Sequence, residues 1–268
     1  MSRPTPALRL LLFAMLTWCS CSHLQVVTAA AAQGETTPGA ALKHDKGDDE
    51  PNEGCGALPD AGKLKQLLKQ APAEGEVGGF AGGRFEWAAV VDRDGTLCAL
   101  AVSTDDPSAA WPGSRAIAIA KAFTANAFSS DTKPMSTARL YTMSLPGHSL
   151  WGAANGNPFN PACMGAPDAA APTGKVCGGT IVFGGGVPLY RDKKRIGGLG
   201  ASGDSPCADH EIAKRLRHAA GLDPDKGASA DDISYEKVDG PTLFTHPLCH
   251  NTWRNGKKIG EEPAGIRH

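Results

Sequence analysis

The chain carries almost no excess charge: 27 lysines and arginines stand against 28 aspartates and glutamates in 268 residues. The two signs are interspersed, so no basic face is expected and nucleic acid is excluded as a natural partner. Long apolar runs are lacking too. The run Leu10–Leu16 falls far short of the roughly 20 residues that a bilayer span needs, and no later segment approaches that length. No two cysteines stand in a Cys-x-x-Cys spacing, which argues against the usual zinc and c-type heme attachment patterns. No repeat of fixed period appears.

At the N-terminus, Arg3 and Arg9 precede that short apolar run, and small residues follow at Ala29–Ala32. This layout predicts a cleaved secretory signal over residues 1–32 and a periplasmic or secreted protein. Cys21 after Ser20 offers an alternative lipidation site, although Trp18 and Cys19 stand where small or aliphatic residues are usual. Residues 33–54 read as a disordered linker. Its mixed charges from Lys43 to Glu53 include no large apolar residue, so it buries too little surface to fold. One domain is expected over 55–262, with a tail at 263–268. Beyond the signal there are six cysteines, Cys55, Cys98, Cys163, Cys177, Cys207 and Cys249. An even number in an exported chain points to disulfides, of which sequence alone leaves about 15 pairings open. Cys163 with Cys177 is the simplest bridge, closing an irregular segment rich in proline.

Local patterns then lay out the elements. Asp60 caps a short amphipathic helix bearing Leu64, Leu67 and Leu68, and Pro72 ends it. Glu86–Val102 reads as a hairpin around Asp92-Arg93-Asp94-Gly95. A helical pattern runs from Ser114 to Phe128, alanine-rich enough to lie close against a sheet or a second copy. Between 129 and 178 periodicity fails, and this stretch reads as a long inserted loop. Two apolar runs around Asp192-Lys193-Lys194 form a second hairpin. Ser205 caps the next helix, with Pro206 at its first position and Gly221 at its stop. A last strand is expected at Ile233–Val238. The order lacks regular βαβ alternation, so the fold class is α+β, an antiparallel sheet covered by helices.

Several motifs fail on inspection. Gly198-Leu199-Gly200-Ala201-Ser202-Gly203 matches the dinucleotide fingerprint, but it follows half of a hairpin, and too little chain remains for a nucleotide-binding sheet. Gly184-Gly185-Gly186 lacks the lysine of a phosphate loop. Trp151 stands where a nucleophile elbow needs glycine, and Lys214 where a zinc-protease helix needs its second histidine. His210 lies in the first turn of the Ser205 helix, off the apolar stripe, where the helix dipole keeps imidazole neutral and able to act as a ligand. His246 and His250 flank Cys249 and read as packing beside a bridge.

Four blocks, AAVVDRDGTLCALA (88–101), WPGSRAIAIAKAFTANAF (111–128), VFGGGVPLY (182–190) and IGGLGASGDSPCADHEIA (196–213), resemble the GlcG/HbpS-like family of small heme-binding proteins, in an exported, cysteine-containing subgroup. The resemblance implies a sheet of about five antiparallel strands flanked by helices in a profilin-like layout. It further implies a homo-oligomer, and a tetrapyrrole or similar small molecule held in a pocket or at a subunit interface. Among the matching positions are Lys121, Thr124, Gly184–Gly186, Asp209 and His210. The same resemblance favours Cys55 with Cys98 and Cys207 with Cys249.

Heme binding needs an apolar slot, a cation for the propionates and an axial ligand. Phe123, Phe128, Trp111 and Tyr190 are candidates for the slot, Arg115 or Lys121 for the cation, and His210 for the iron. The implied function is an exported heme-binding protein for scavenging, sensing or buffering. The alternatives are an enzyme or accessory subunit that holds a small organic acid near Lys121, and a purely structural oligomer.

Overall fold

The computed structural model describes residues 54–263, so the expected signal (1–32) and nearly all of the linker (33–54) lie outside the described residues. A four-stranded antiparallel sheet forms the centre. Its strands are β1 (Trp87–Asp92), β2 (Leu97–Val102), β3 (Gly186–Arg191) and β4 (Lys194–Ser202), in the order β2-β1-β4-β3. The two hairpins join through β1 and β4, with Trp87 opposite Ser202 and Asp92 opposite Gly197. The fold is therefore α+β with an antiparallel sheet flanked by helices, built on four central strands rather than five.

Both tight turns follow from side-chain chemistry. The Asp92 carboxylate accepts backbone N–H bonds from Asp94 (3.0 Å) and Thr96 (2.9 Å). In the second hairpin Asp192 and Lys193 both adopt positive φ (49° and 65°), which suits a two-residue turn matched to strand twist.

Strand alternation sorts the core into two layers. Ala88, Val90, Leu199 and Ala201 point toward α1 (Ala61–Gln70) and meet its Leu64, Leu67 and Leu68, together with Ile212, Ala213 and Leu216 of a later helix. Ala89, Val91, Leu97 and Leu100 point the other way, onto Ala118, Ile119 and Ala122 of α2 (Ser114–Ala127). The alanine-rich helix thus packs on its own sheet. Gly198 and Gly200 are what permit this. A Cβ at either would lie 2.2 Å from Ala122 O or 2.1 Å from Ala118 O, inside any real contact. The glycines of the dinucleotide-like motif are therefore a landing strip for α2.

The stretch 129–178 contains no strand. It holds three-residue and four-residue helical turns, including α3 (Ala153–Gly156), and the Cys163–Cys177 bridge staples it. The helix capped by Ser205 is α4 (Pro206–Ala219), with the Ser205 hydroxyl accepting from Ala208 N at 3.4 Å. The expected strand Ile233–Val238 shrinks to β5 (Ser234–Tyr235), followed at once by α5 (Glu236–Asp239). Asp239 is the reason: its carboxylate accepts the Tyr235 N–H at 2.8 Å and holds Arg254, which turns the chain back. Beyond α5, β6 (Thr245–His246) pairs with β5, and β7 (Thr252–Arg254) with β8 (Lys257–Gly260) forms a C-terminal hairpin. Bridges join Cys55 to Cys98 and Cys207 to Cys249. Among the described residues no helix is long and apolar enough to cross a membrane.

Candidate functional site

Several positions in the matching blocks converge, but on an ion pair rather than on a cavity. Lys121 from α2 reaches across the end of β4 to Asp209 in the first turn of α4, Nζ to Oδ2 at 2.5 Å, and also donates to Ala201 O at 3.0 Å. Asp209 Oδ1 accepts N–H bonds from Gly203 (3.1 Å) and Asp204 (2.8 Å). Both side chains are almost wholly buried. Gly185 passes directly over them, where a Cβ would sit 2.5 Å from the Lys121 ammonium. Glu86 is buried alongside, and neither of its carboxyl oxygens has a hydrogen-bond partner among the described residues. Burial first, and the Asp209 carboxylate second, push its pKa well above the ordinary carboxylate range. Together these groups knot α2, β4 and α4. Lys121 has no room for a small organic acid and cannot serve as the cation for one.

The other expected site residues lie apart. Arg115 is buried and donates to Ala169 O (3.2 Å) and Ala170 O (2.9 Å), clamping the inserted loop rather than facing a ligand. Thr124 Oγ1 donates to Ala120 O (2.7 Å) and accepts from Ile181 N (2.9 Å). The buried Tyr190 ring donates its hydroxyl to Ser130 O at 2.6 Å. Trp111 precedes α2 and Phe128 follows it, so about 20 Å of helix separates them. Phe123, Phe128, Trp111 and Tyr190 therefore do not form one slot. His210 is fully buried, with Nε2 3.4 Å from Asp232 Oδ1. Its side chain has no exposed surface for a ligand to meet.

An aromatic groove lies instead at the N-terminal end of α4. Two adjoining depressions of about 350 and 430 Å³ share Phe80, Trp111 and Asp204 as walls. Phe85 lines one, and Tyr141, Phe183, His246 and His250 line the other. Phe80 and Trp111 are strongly exposed, at 77% and 71%. Large exposed rings around a concave surface make this groove the candidate binding site. Asp204 organises the groove. Its carboxylate accepts N–H bonds from Phe80 (2.5 Å), Ala81 (2.8 Å) and Ser205 (2.6 Å), fixing the Phe80 loop to the start of α4. Behind one wall, the Lys121 ammonium sits 5.2 Å from the Phe183 ring centre.

The two histidines of the groove differ. His246 is buried, accepts the Gly184 N–H on Nε2 (3.3 Å) and has Nδ1 2.7 Å from Pro247 O. Burial pushes its pKa down to about 4, so it is neutral. Contrary to the packing role expected from sequence, His250 stands half-exposed on the rim, its ring stacked on Phe80 at 4.6 Å. Phe80, Phe85, Tyr141, Phe183 and the groove role of His250 have no sequence signature, because four separate stretches of chain supply them. The one available hint was Phe80 itself, a large apolar residue set among glycines.

A four-stranded antiparallel sheet with an alanine-rich helix landed on glycines, and a capped helix tied to it by a buried ion pair, defines a small α+β domain of the GlcG/HbpS-like class. The family model described as haem degrading protein HbpS-like matches residues 85–217, and the chain belongs to that family. It is similar to the solved ORFY protein of Klebsiella pneumoniae, at 22% identity over 62% of this chain and 89% of that one, with a TM-score of 0.43. It is also similar to PduOC, solved as a heme complex (25% identity, 59% and 93% covered, TM-score 0.40). An HbpS double mutant of Streptomyces reticuli matches at 19% identity, 67% and 94% covered, TM-score 0.42. No curated protein matches the chain.

Proposed function

We propose that this is an exported heme-binding protein that takes the tetrapyrrole into the aromatic groove beside α4, for scavenging, sensing or buffering. The observation that carries the reading is the groove itself, with Phe80 and Trp111 held open to solvent over a combined surface large enough for a flat macrocycle. The description of its family as haem-degrading supports an iron porphyrin over other flat aromatics. Three disulfides support an oxidising compartment, in keeping with a signal over residues 1–32. Assembly with copies of itself belongs to the same proposal.

The residues present fit such a group with one qualification. Aromatic walls and imidazole are in place, but no lysine or arginine lines the groove, whose charged residues are Asp204 and Glu262. The lining would therefore offer the propionates no protein cation and leave them to water. Phe80 and Trp111 would hold the macrocycle, with Asp204 fixing Phe80 in position. When bound, the group supplies an iron with open coordination positions.

Titration of the purified chain with hemin tests this. A shifted Soret band is expected at micromolar protein, with affinity reduced in Phe80→Ala and Trp111→Ala. Absence of a shift in the unaltered protein would remove the reading.

A further inference from the structure

We propose that His250 Nε2 is the axial iron ligand in this groove, positioned by Phe80 and by Glu261. The inference rests on the heme reading above and identifies the residue that makes the bond. It also replaces His210, which burial disqualifies: with no exposed surface and Nε2 facing Asp232, that ring reaches iron only if α4 unpacks.

Among the described residues that line the groove, the candidate donors are His246, His250 and Tyr141, because Cys249 is committed to its bridge. His246 has both ring nitrogens engaged, by Gly184 N and Pro247 O. Tyr141 packs its ring against His246, with centroids 5.0 Å apart. His250 is different in three respects. Its side chain is 46% exposed on the rim, so a macrocycle can approach it without rearrangement. Its Nδ1 lies 2.6 Å from Glu261 Oε1, and that oxygen is itself fixed by the Asn251 N–H at 2.8 Å. A carboxylate beside Nδ1 keeps the ring proton there and leaves the Nε2 lone pair for a metal, the arrangement by which a carboxylate sets the tautomer of a ligating histidine. Finally, the Phe80 ring stacks nearly parallel to it, 18° between planes, and limits rotation of the imidazole.

The backbone that carries His250 is anchored on both sides. The Cys207–Cys249 bridge ties the preceding residue to the first turn of α4, and Cys249 O accepts the Glu262 N–H at 3.0 Å. His250 and Glu261 both lie outside the span matched by the family model, residues 85–217, so this ligand pair is supplied by the chain's own C-terminal segment.

The test is hemin titration of the full chain, followed by absorption and electron paramagnetic resonance spectra, for the unaltered protein and for His250→Ala, His210→Ala, Tyr141→Phe and Glu261→Gln. Circular dichroism confirms that each variant is folded. The expected result is that His250→Ala loses the histidine-ligated spectrum, that millimolar free imidazole restores it, and that His210→Ala and Tyr141→Phe keep it. Glu261→Gln should lower hemin affinity by about tenfold while leaving the ligand type unchanged. If His250→Ala has the unaltered spectrum while Phe80→Ala still weakens binding, the groove stands and the ligand assignment is overturned. If the unaltered protein binds no hemin, both fall.

Discussion

The ammonium of Lys121 and the carboxylate of Asp209 meet at 2.5 Å with almost no solvent on either side chain, joining the central helix to the first turn of α4. Removing one partner leaves the other buried and unpaired, which costs about 3–5 kcal/mol. Lys121→Met and Asp209→Asn should each lower stability by that order in urea denaturation. The double variant should recover part of the loss, because no lone charge remains. Equal, additive losses would show that the two groups act independently.

Glu86 makes stability fall as pH rises. Its folded pKa is raised above the unfolded value by burial, so the stability of the neutral form is fully present at low pH and is lost as pH rises through the folded value. Glu86→Gln, which cannot ionise, should raise the melting temperature at pH values above the ordinary carboxylate range by about 3 °C or more and flatten its decline with rising pH. Thermal melts across a pH series that starts in the ordinary carboxylate range and rises through neutrality read this directly.

His246 acts at the other end of the scale. Its pKa is depressed from 6.5 to about 4, so its contribution is present above 6.5 and is lost as pH falls toward 4. The loss is on the order of 3 kcal/mol. His246→Gln should show a shallower acid transition between those limits in fluorescence-monitored unfolding.

The bridges should separate stability from binding. Opening Cys163–Cys177, 14 residues apart, should cost about 3 kcal/mol with little effect on hemin affinity, since neither cysteine nor any residue between them lines the aromatic groove. Opening Cys207–Cys249, 42 residues apart, should cost about 4 kcal/mol and also weaken binding, because it releases the backbone next to His250. Paired serine variants compared by denaturation and hemin titration distinguish the two effects.

Gly200→Ala should be among the most disruptive small substitutions in the sheet. The added methyl meets Ala118 O and Ala122 N, backbone atoms that cannot swing aside, so a loss of about 1–3 kcal/mol or more is expected, and greater aggregation on expression.

Local chemistry made much of this fold legible in the sequence. The Ser205 cap, Pro206 and Gly221 bounded α4, and the turn residues located both hairpins, because each signal acts within a few residues. The strand expected at Ile233–Val238 failed because Asp239 captures the Tyr235 N–H, a contact that apolar patterning does not encode. His210 lies off the apolar stripe of its helix, but polar periodicity does not distinguish water from a neighbouring carboxylate, and Asp232 is what lies there. The groove was illegible for a different reason. Phe80, Trp111, Phe183 and His250 are distant in sequence and are gathered by the hydrogen bonds of Asp204 and the Cys207–Cys249 bridge, neither of which leaves a periodic trace.

The C-terminal hairpin pairs with itself rather than with the central sheet, and the Cys207–Cys249 bridge and the Asn255 N–H on Glu211 (3.0 Å) fasten it to α4. Exchanges within residues 246–262 that keep His246, Cys249, Thr252 and Arg254, which tie this segment to the fold, should alter the rim of the groove while leaving the sheet and its two helical layers in place. The segment is thus a natural place for selection, or an engineer, to retune recognition without rebuilding the scaffold.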